Sequence, residues 1–312
     1  MKTCIICKEP KKNDEFNIEH VIPDSAGGTY TINNVCKDCN NLLGSTVDYD
    51  FLKNPLIKVL LIHHDIRNKK GKLPRLFKKS LQSLNSKIKG KPIYNDRTGK
   101  LEKIKYETST EFIDNTFHLK YDSLEPIEDI LNEIELEDKY KKEIMTKIES
   151  EEYKEEKFNF KYMSEVSVES IIIESLKIAY EFANDMFKLE YLDDELGQNI
   201  RKVLNYPKMF GEMKLKQIPL LDFEINKVQL DDVKHLITLS KTKNHIIAQV
   251  MLLNYITTTF IISNNAKLFK KDYEMSIVID FWGEKNLIKK NLKSNEIPHD
   301  EINLSKINLE FE

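Results

Sequence analysis

Residues 19–28 read EHVIPDSAGG and place an acid and a histidine side by side on what looks like a short strand. Neighbouring residues of a regular strand point to opposite faces, so Glu19 and His20 reach a common atom only if the strand is irregular. Pro23 and the glycine pair that ends the stretch supply that irregularity, because proline stops a strand and glycine tolerates a positive φ. We therefore expect a strand that ends abruptly in a tight loop beside Glu19 and His20.

Two pairs of cysteines with the same short spacing enclose this stretch. All the cysteines of the chain belong to them, and they are Cys4, Cys7, Cys36 and Cys39. Two C-x2-C turns place four thiolates on one tetrahedral zinc ion, and the alternative is four free buried cysteines. Four thiolates leave zinc no open position, so we expect a structural zinc ion that staples a segment too small for a core of its own.

Composition indicates a globular protein. The 312 residues are 40% hydrophobic and 32% charged, and this length favours two domains. The first residues, MKTCIICKEP, lack the apolar run of a signal peptide, and the apolar stretch 246–262 is shorter than the roughly 20 residues of a membrane-spanning helix. We therefore expect a cytoplasmic location and no membrane partner.

Five pieces of sequence together resemble the HNH endonucleases, whose site has a ββα-metal fold, and most closely the subset with a four-cysteine zinc. The pieces are C-x2-C at 4–7, EHVIP at 19–23, GG at 27–28, NNVCKDCNN at 33–41 and LGSTVD at 43–48. EHVIP alone is a weak signal, whereas the order and spacing of all five are specific. The resemblance implies a metal-dependent endonuclease that hydrolyses phosphodiester bonds of DNA with a catalytic Mg²⁺ or Mn²⁺.

The resemblance also implies roles for individual residues. His20 corresponds to the general base, and Glu19 and Asn40 correspond to the residues that hold the catalytic ion. Asn34, or alternatively Asn33, corresponds to the middle asparagine that orders the loop, although the family often has more residues between this position and the next cysteine. The chemistry agrees, because a neutral imidazole is a suitable base near neutral pH and a hard divalent ion prefers carboxylate and amide oxygens.

Charge is distributed unevenly along a chain whose net charge is only −3. Residues 51–100 contain 14 Lys and Arg against 2 Asp and Glu, whereas residues 101–312 contain 29 against 41. A basic segment that follows the site is suited to phosphate contacts. We expect the nucleic-acid contacts to come from Lys69, Lys70, Lys72, Arg75, Lys78 and Lys79. The alternative is a solvated basic face that balances the acidic second half.

Hydrophobic periodicity predicts an α+β fold. Helices are expected at 51–66, within 125–157, at 166–189 and at 193–205. Strands are expected on both sides of a turn near 95–99, and near 218–225, 245–253, 255–262 and 275–282. The predicted regions are a zinc-bound HNH module at 1–50, a basic helix and connecting segment at 51–100, and a larger α+β domain at 101–312 with a long helix and antiparallel strands.

The leading hypothesis for function is a DNA endonuclease in which 101–312 is an accessory domain for sensing, targeting, or contact with a protein partner or a second copy. The resemblance implies a setting in bacterial phage defence or restriction. Two alternatives stay open, namely a non-catalytic zinc-stapled module that binds nucleic acid or protein, and a nuclease that cuts RNA. A plain zinc ribbon has no need of Glu19, His20 and Asn40 inside its loop, which favours an enzyme.

Overall fold

The computed structural model describes residues 1–77, 80–82, 89–113, 116–121, 126–150, 164–206, 220–226, 233–268, 273–280 and 285–291. These residues form helices and antiparallel strands, which confirms the α+β class. The helices are α1 (Lys37–Ser45), α2 (Val47–Lys53), α3 (Pro55–His63), α4 (Ile127–Glu133), α5 (Asp138–Glu149), α6 (Val168–Phe187), α7 (Leu189–Leu192) and α8 (Glu195–Asn205). The strands are β1 (Lys2–Thr3), β2 (Pro10–Lys11), β3 (Glu19–His20), β4 (Thr31–Ile32), β5 (Leu81–Gln82), β6 (Lys89–Tyr94), β7 (Leu101–Tyr106), β8 (Ser109–Ile113), β9 (Thr116–Lys120), β10 (Leu220–Ile225), β11 (Val233–Lys241), β12 (Ile246–Leu252), β13 (Ile256–Ser263), β14 (Tyr273–Asp280) and β15 (Lys285–Asn291).

The chain divides into two compact units. One contains Met1–Lys70 together with Val166–Glu312, and the other contains Gly71–Glu165. This division differs from the predicted boundaries after residues 50 and 100, because the cysteine-bearing segment shares a unit with the C-terminal part of the chain. Sequence periodicity reports local structure, whereas this division depends on which distant segments pack together.

Helix α6 is the centre of the larger unit, and the predicted helix at 166–189 is confirmed. Every residue from 170 to 184 is buried. A helix that is buried all round needs neighbours on all its faces, and α6 packs against α2, α8 and strands β11, β12 and β13. One hydrophobic core therefore extends from the cysteine-bearing segment, through α6, to the sheet.

The N-terminal segment has the expected ββα order. Strands β3 and β4 pair antiparallel, with Glu19 opposite Ile32 and His20 opposite Thr31. Helix α1 follows directly, and Cys36 is its N-cap residue. The two strands and the helix thereby bring the predicted site residues from different parts of the segment to one place.

The predicted helix at 51–66 is in fact two helices, α2 and α3. The break falls at Asn54, because the residue before a proline is disfavoured in the α conformation, and Asn54 has φ −57° and ψ 129°. Its side-chain oxygen accepts a hydrogen bond from the backbone N–H of Leu56 at 3.0 Å, so Asn54 caps the second helix.

A six-stranded antiparallel sheet with the order β10-β13-β12-β11-β14-β15 completes the larger unit. The predicted strands at 245–253 and 255–262 are confirmed as β12 and β13. Their connecting residues Leu253 and Asn254 both have positive φ, 54° and 57°, which is the geometry of a tight hairpin turn. Strand β11 was not predicted, because Lys234, His235 and other polar residues interrupt its apolar pattern.

The smaller unit contains the hairpin of β6 and β7 and the helices α4 and α5. The predicted turn between the two strands is confirmed, since the Asn95 side chain accepts hydrogen bonds from the N–H groups of Arg97 and Thr98, and Gly99 has φ 74°. Helices α4 and α5 account for the described part of the acidic segment, and 151–163 lie outside the described residues. Nowhere in the described chain is a helix both long and apolar enough to cross a membrane.

Candidate active site

The four cysteines converge on one point. Their sulfur atoms all lie within 4.8 Å of one another, and the Sγ atoms of Cys7 and Cys36 are 4.0 Å apart. Zinc–sulfur bonds of about 2.3 Å place the sulfurs of a tetrahedral site about 3.8 Å apart, which agrees with this spacing. The backbone N–H of Cys36 also donates to Cys4 Sγ at 3.3 Å, as second-sphere donors do in thiolate sites. The cluster therefore fits a structural zinc ion.

Proton sharing within the cluster points to the same chemistry. The hydrogen bond from the Cys39 thiol lowers the pKa of Cys4 to about 4, whereas burial raises the pKa of Cys7 to about 11. Without a cation, repulsion between the sulfurs keeps some of the four thiols protonated. A divalent ion offsets this repulsion and allows all four cysteines to bind it as thiolates, which is why such clusters bind zinc.

The loop after β3 folds back as the sequence predicts. Pro23 precedes a short 3₁₀ turn, Asp24–Ala26, and Gly27 ends it with φ 82°. A Cβ atom on Gly28 would lie 2.1 Å from the carbonyl oxygen of Ile22, so only glycine fits there. The turn returns Asp24 to the strand, where its Oδ1 lies 4.0 Å from Nε2 of His20.

One cavity of about 510 Å³ brings together most of the predicted site residues. Its lining includes the predicted residues Glu19, His20, Asn40, Lys69 and Lys70. Two carboxylates to which the sequence assigned no role, Asp24 and Asp48, line the same cavity. The His20 side chain is about one-third exposed, which leaves the imidazole accessible from the cavity.

Hydrogen bonds from its side-chain nitrogen fix the amide group of Asn40 at the cavity. Its Nδ2 group donates to the carbonyl oxygen of Ile18 at 3.0 Å and to Oδ1 of Asn17 at 3.1 Å. Because a backbone carbonyl only accepts, the atom that faces Ile18 must be the NH₂ group. Oδ1 of Asn40 accepts no hydrogen bond from the described residues, so it is available to a cation.

Glu19 is buried, unlike its neighbour His20, as the alternation of a strand requires. Its Oε1 atom lies 3.5 Å from Nζ of Lys177 on α6, and the same ammonium group donates a hydrogen bond to Asp48. Burial raises the pKa of Glu19 to about 7, against the opposing effect of the Lys177 charge. Lys177 thus links the two carboxylates that line the floor of the cavity.

Lys177 was not predicted as a site residue, although the sequence contains a signal for it. Helix α6 is apolar along most of its length, yet Glu174, Lys177 and Glu181 fall on one face at positions i, i+3 and i+7. All three side chains are buried, and Glu174 Oε1 lies 3.4 Å from Lys177 Nζ. Charged residues at helical spacing inside an apolar helix indicate a buried polar cluster.

Asn34 lies apart from this cavity. It lines a second cavity, its carbonyl oxygen accepts a hydrogen bond from the N–H of Ile5 at 3.0 Å, and its side-chain Oδ1 is buried without a hydrogen-bond partner in the described structure. Asn33, the alternative, accepts hydrogen bonds from Lys2 through its backbone and side-chain oxygens. Asn34 therefore ties the loop to the first cysteine turn and does not meet His20 in one cavity.

The basic segment is divided between the units. Lys69 and Lys70 line the cavity with His20, and Lys69 Nζ lies 3.8 Å from Asp24 Oδ2. Lys72 and Arg75 belong to the smaller unit, where Arg75 pairs with Asp96 at 3.3 Å. The predicted contacts Lys78 and Lys79 lie outside the described residues.

His235 on β11 connects the sheet to the loop beside His20, a contact that no sequence pattern predicts. Its Nδ1 atom accepts a hydrogen bond from the N–H of Leu253 at 3.3 Å, so Nε2 carries the proton and donates to the carbonyl oxygen of Ala26 at 3.0 Å. Complete burial lowers the pKa of His235 to about 3, which keeps the ring neutral. The loop that carries Asp24 is thus anchored to the C-terminal sheet.

Comparison with known proteins agrees with this geometry. Residues 4–56 match the family model described as HNH endonuclease, and these residues include all four cysteines and the residues Glu19, His20 and Asn40. No curated protein and no solved structure matches the chain. The chain therefore carries an HNH endonuclease module at residues 4–56.

Proposed function

We propose that this protein is a metal-dependent endonuclease that hydrolyses phosphodiester bonds of DNA. The observation that carries the proposal is the single cavity lined by His20, Glu19 and Asn40 together with Lys69 and Lys70. It combines a base, oxygen ligands for a cation and positive charge for phosphate, which are the parts that phosphodiester hydrolysis requires.

His20 is the general base in this proposal. Its imidazole is partly exposed to the cavity, so a water molecule can approach it, and Asp24 on the adjoining turn lies 4.0 Å from its Nε2 atom. A base must lie within hydrogen-bond reach of the proton that it removes. Water reaches the partly exposed His20 more readily than the buried carboxylate of Glu19. His20 takes the proton of the attacking water.

The oxygen atoms of Asn40, Glu19 and Asp48 are the proposed ligands of a catalytic Mg²⁺ or Mn²⁺. An amide oxygen without a hydrogen bond and two carboxylates suit a hard cation, and they line the cavity with His20. Such an ion, when bound, offsets negative charge on the reacting phosphate and on the leaving 3′-oxygen. Lys69 and Lys70 hold the DNA backbone beside it.

Cleavage of plasmid DNA tests the proposal, with and without Mg²⁺ or Mn²⁺. We expect His20→Ala to lower the rate about 10²–10⁴-fold while it preserves the fold and DNA binding. His118→Ala, which changes an exposed histidine of the smaller unit, is the matched control and should cut like the wild type. Equal rates for the two variants would remove His20 from the reaction.

The same assay separates the remaining hypotheses. Binding without metal-dependent cutting would favour the non-catalytic binding module, and faster cutting of a matched RNA would make RNA the substrate. The role in bacterial phage defence rests on the resemblance, and plaque counts on cells that express wild-type or His20→Ala protein test it. Contact of 101–312 with a protein partner or a second copy and the cytoplasmic location stay predictions.

A further inference from the structure

A second cavity shares one residue with the active-site cavity. It has a volume of about 460 Å³, and Ile18 lines both cavities. Ile18 directly precedes Glu19 and His20, and it is 65% exposed although it is a large apolar residue. An exposed isoleucine that lines both cavities, beside the proposed base, is a point at which the two cavities adjoin.

Two lysines and one aspartate supply the charge of the second cavity, which gives it an excess of one positive charge. Lys2 Nζ donates to the carbonyl oxygen of Asn33 at 2.7 Å and to Asn33 Oδ1 at 2.6 Å. Lys188 Nζ lies 2.9 Å from Asp185 Oδ1, and Asp185 Oδ2 also accepts a hydrogen bond from Tyr30. Both lysines lie in the larger unit, like the proposed active site.

The two ammonium groups are close enough to influence each other. Burial lowers the pKa of Lys2, and the positive charge of Lys188 lowers it further. The lining thus presents two ammonium groups against the single carboxylate of Asp185. Two like charges in one cavity favour an anionic occupant.

We propose that this cavity is a subsite for a backbone phosphate of the substrate strand, next to the phosphate that is cut beside His20. The proposal rests on the proposed nuclease function and adds the path of the strand. Phosphates alternate with less polar sugars along a nucleic acid, and the two lysine-lined cavities with Ile18 between them have the same alternation. The strand would pass over Ile18, with its phosphates near Lys70 on one side and near Lys2 on the other.

Salt-dependent binding of duplex DNA to His20→Ala protein tests the subsite. Lys2→Gln with Lys188→Gln removes both cations of the subsite and hence one phosphate contact, so the slope of log affinity against log salt should fall by about 0.9. Lys12→Gln with Lys37→Gln is the matched control, because these exposed lysines line neither cavity. An unchanged slope in the first pair, or an equal fall in both pairs, would overturn the proposal.

A second pair of variants probes the path itself. Ile18→Asp places a negative charge between the two cavities and should weaken binding at least tenfold at low salt. Val59→Asp introduces the same charge at an exposed apolar position of α3 and should leave binding unchanged. Because both side chains are exposed, neither change should prevent folding, and thermal unfolding checks this. Wild-type binding by Ile18→Asp would contradict the path.

Free phosphate could use the same cations, and a competition arm separates it from the nucleic-acid backbone. If the subsite takes only free phosphate, the lysine changes abolish binding of inorganic phosphate and leave the salt slope for DNA unchanged, which overturns the proposal. The proposed function can fail while the subsite stands. This is the outcome if the salt slope for DNA depends on Lys2 and Lys188 but the wild-type protein does not cut DNA.

Discussion

Lys177 and Glu19 form a buried ion pair that joins the central helix to the HNH module. The Nζ–Oε1 distance is 3.5 Å, and the two side chains are 0% and 4% exposed. The same ammonium group contacts Asp48 and Glu174, and the carboxylate oxygens of Glu181 nearby are buried without a hydrogen bond from the described residues. Burial raises the pKa of Glu174 and of Glu181, which favours their neutral forms. One lysine therefore compensates the carboxylates under the proposed active site.

Loss of this lysine should destabilise the protein strongly. Lys177→Met leaves Glu19 and Asp48 without their cation, and breaking a buried ion pair from one side typically costs about 3–5 kcal/mol. Urea unfolding measures the change in the free energy of unfolding. Lys202→Met, which removes an exposed lysine from α8, is the control and should change stability by less than about 0.5 kcal/mol. If the free energy of unfolding falls as little in Lys177→Met as in Lys202→Met, the buried ion pair contributes little to stability.

Stability should fall with rising pH because of Glu19. Its pKa is about 7 in the folded protein and about 4.5 when unfolded, so between these values the folded state binds a proton that the unfolded state has lost. The free energy of unfolding therefore decreases as pH rises from about 4.5 to 7. Glu19→Gln removes this contribution, and the difference between wild type and variant should change by about 1–3 kcal/mol between pH 5 and pH 8.

Other buried groups titrate as well, so the comparison with Glu19→Gln carries the test rather than the wild-type profile alone. Glu9→Gln, at an exposed position, is the control and should follow the wild-type profile. If the free energy of unfolding of Glu19→Gln depends on pH as strongly as that of the wild type, the pKa of Glu19 is not raised in the folded protein.

Loss of zinc should affect the whole larger unit. Wild-type protein should contain one zinc ion per chain, and Cys36→Ala should lose it. The sequence predicts a zinc-stapled segment without a core of its own, but the first 50 residues share a hydrophobic core with α6 and the sheet. We therefore expect a lower unfolding temperature for the unit formed by Met1–Lys70 and Val166–Glu312.

Elemental analysis, thermal unfolding and amide hydrogen exchange measure these effects. Ser45→Ala, at an exposed position of α1, is the control and should keep zinc. If amide exchange in Cys36→Ala becomes faster only in residues 1–50, and the amides of the sheet stay as protected as in the wild type, the shared core would be contradicted.

Two glycines should respond oppositely to alanine. Gly28→Ala places Cβ 2.1 Å from the carbonyl oxygen of Ile22, so the turn beside His20 must shift, and we expect a loss of about 2 kcal/mol or more together with reduced cutting. Gly44→Ala lies in α1 with no atom within 4 Å of the new Cβ, and it should stabilise the protein by about 0.5–1 kcal/mol. Thermal unfolding measures the change in stability of both variants. A Gly28→Ala protein as stable as the wild type would show that the turn adapts.

Asn40 and its neighbour Asn41 offer a matched test of the ion ligands. Asn40→Ala should raise the Mn²⁺ concentration needed for half-maximal cutting. It should also weaken Mn²⁺ binding by about tenfold or more, measured from the electron spin resonance signal of the free ion. Asn41→Ala changes an exposed residue of the same helix that does not line the cavity and should match the wild type. Unchanged Mn²⁺ binding in Asn40→Ala would remove this residue from the ion site.

The sequence by itself determined the local geometry of the site. Identical spacing in two short cysteine motifs indicated the four-sulfur cluster, and Pro23 with the following glycines predicted the tight turn after β3, because each motif is recognisable from a few residues. The same holds for the hairpin strands β12 and β13, which are rich in β-branched residues. Local spacing and turn chemistry can be read directly from sequence.

Only the tertiary structure decided what surrounds these residues. Lys177 lies 158 positions from Glu19 in the chain, and His235 lies 209 positions from Ala26, yet both contacts hold the proposed active site in place. Such contacts depend on how α6 and the sheet pack against the HNH module, and no periodicity within either segment encodes their partner. Asn34 shows the same limit, since its motif position suggested a residue that orders the loop, whereas its partner Ile5 and its place in the neighbouring cavity follow from packing. Short-range chemistry follows from local sequence, whereas the energy of burying charged and apolar groups selects the long-range neighbours.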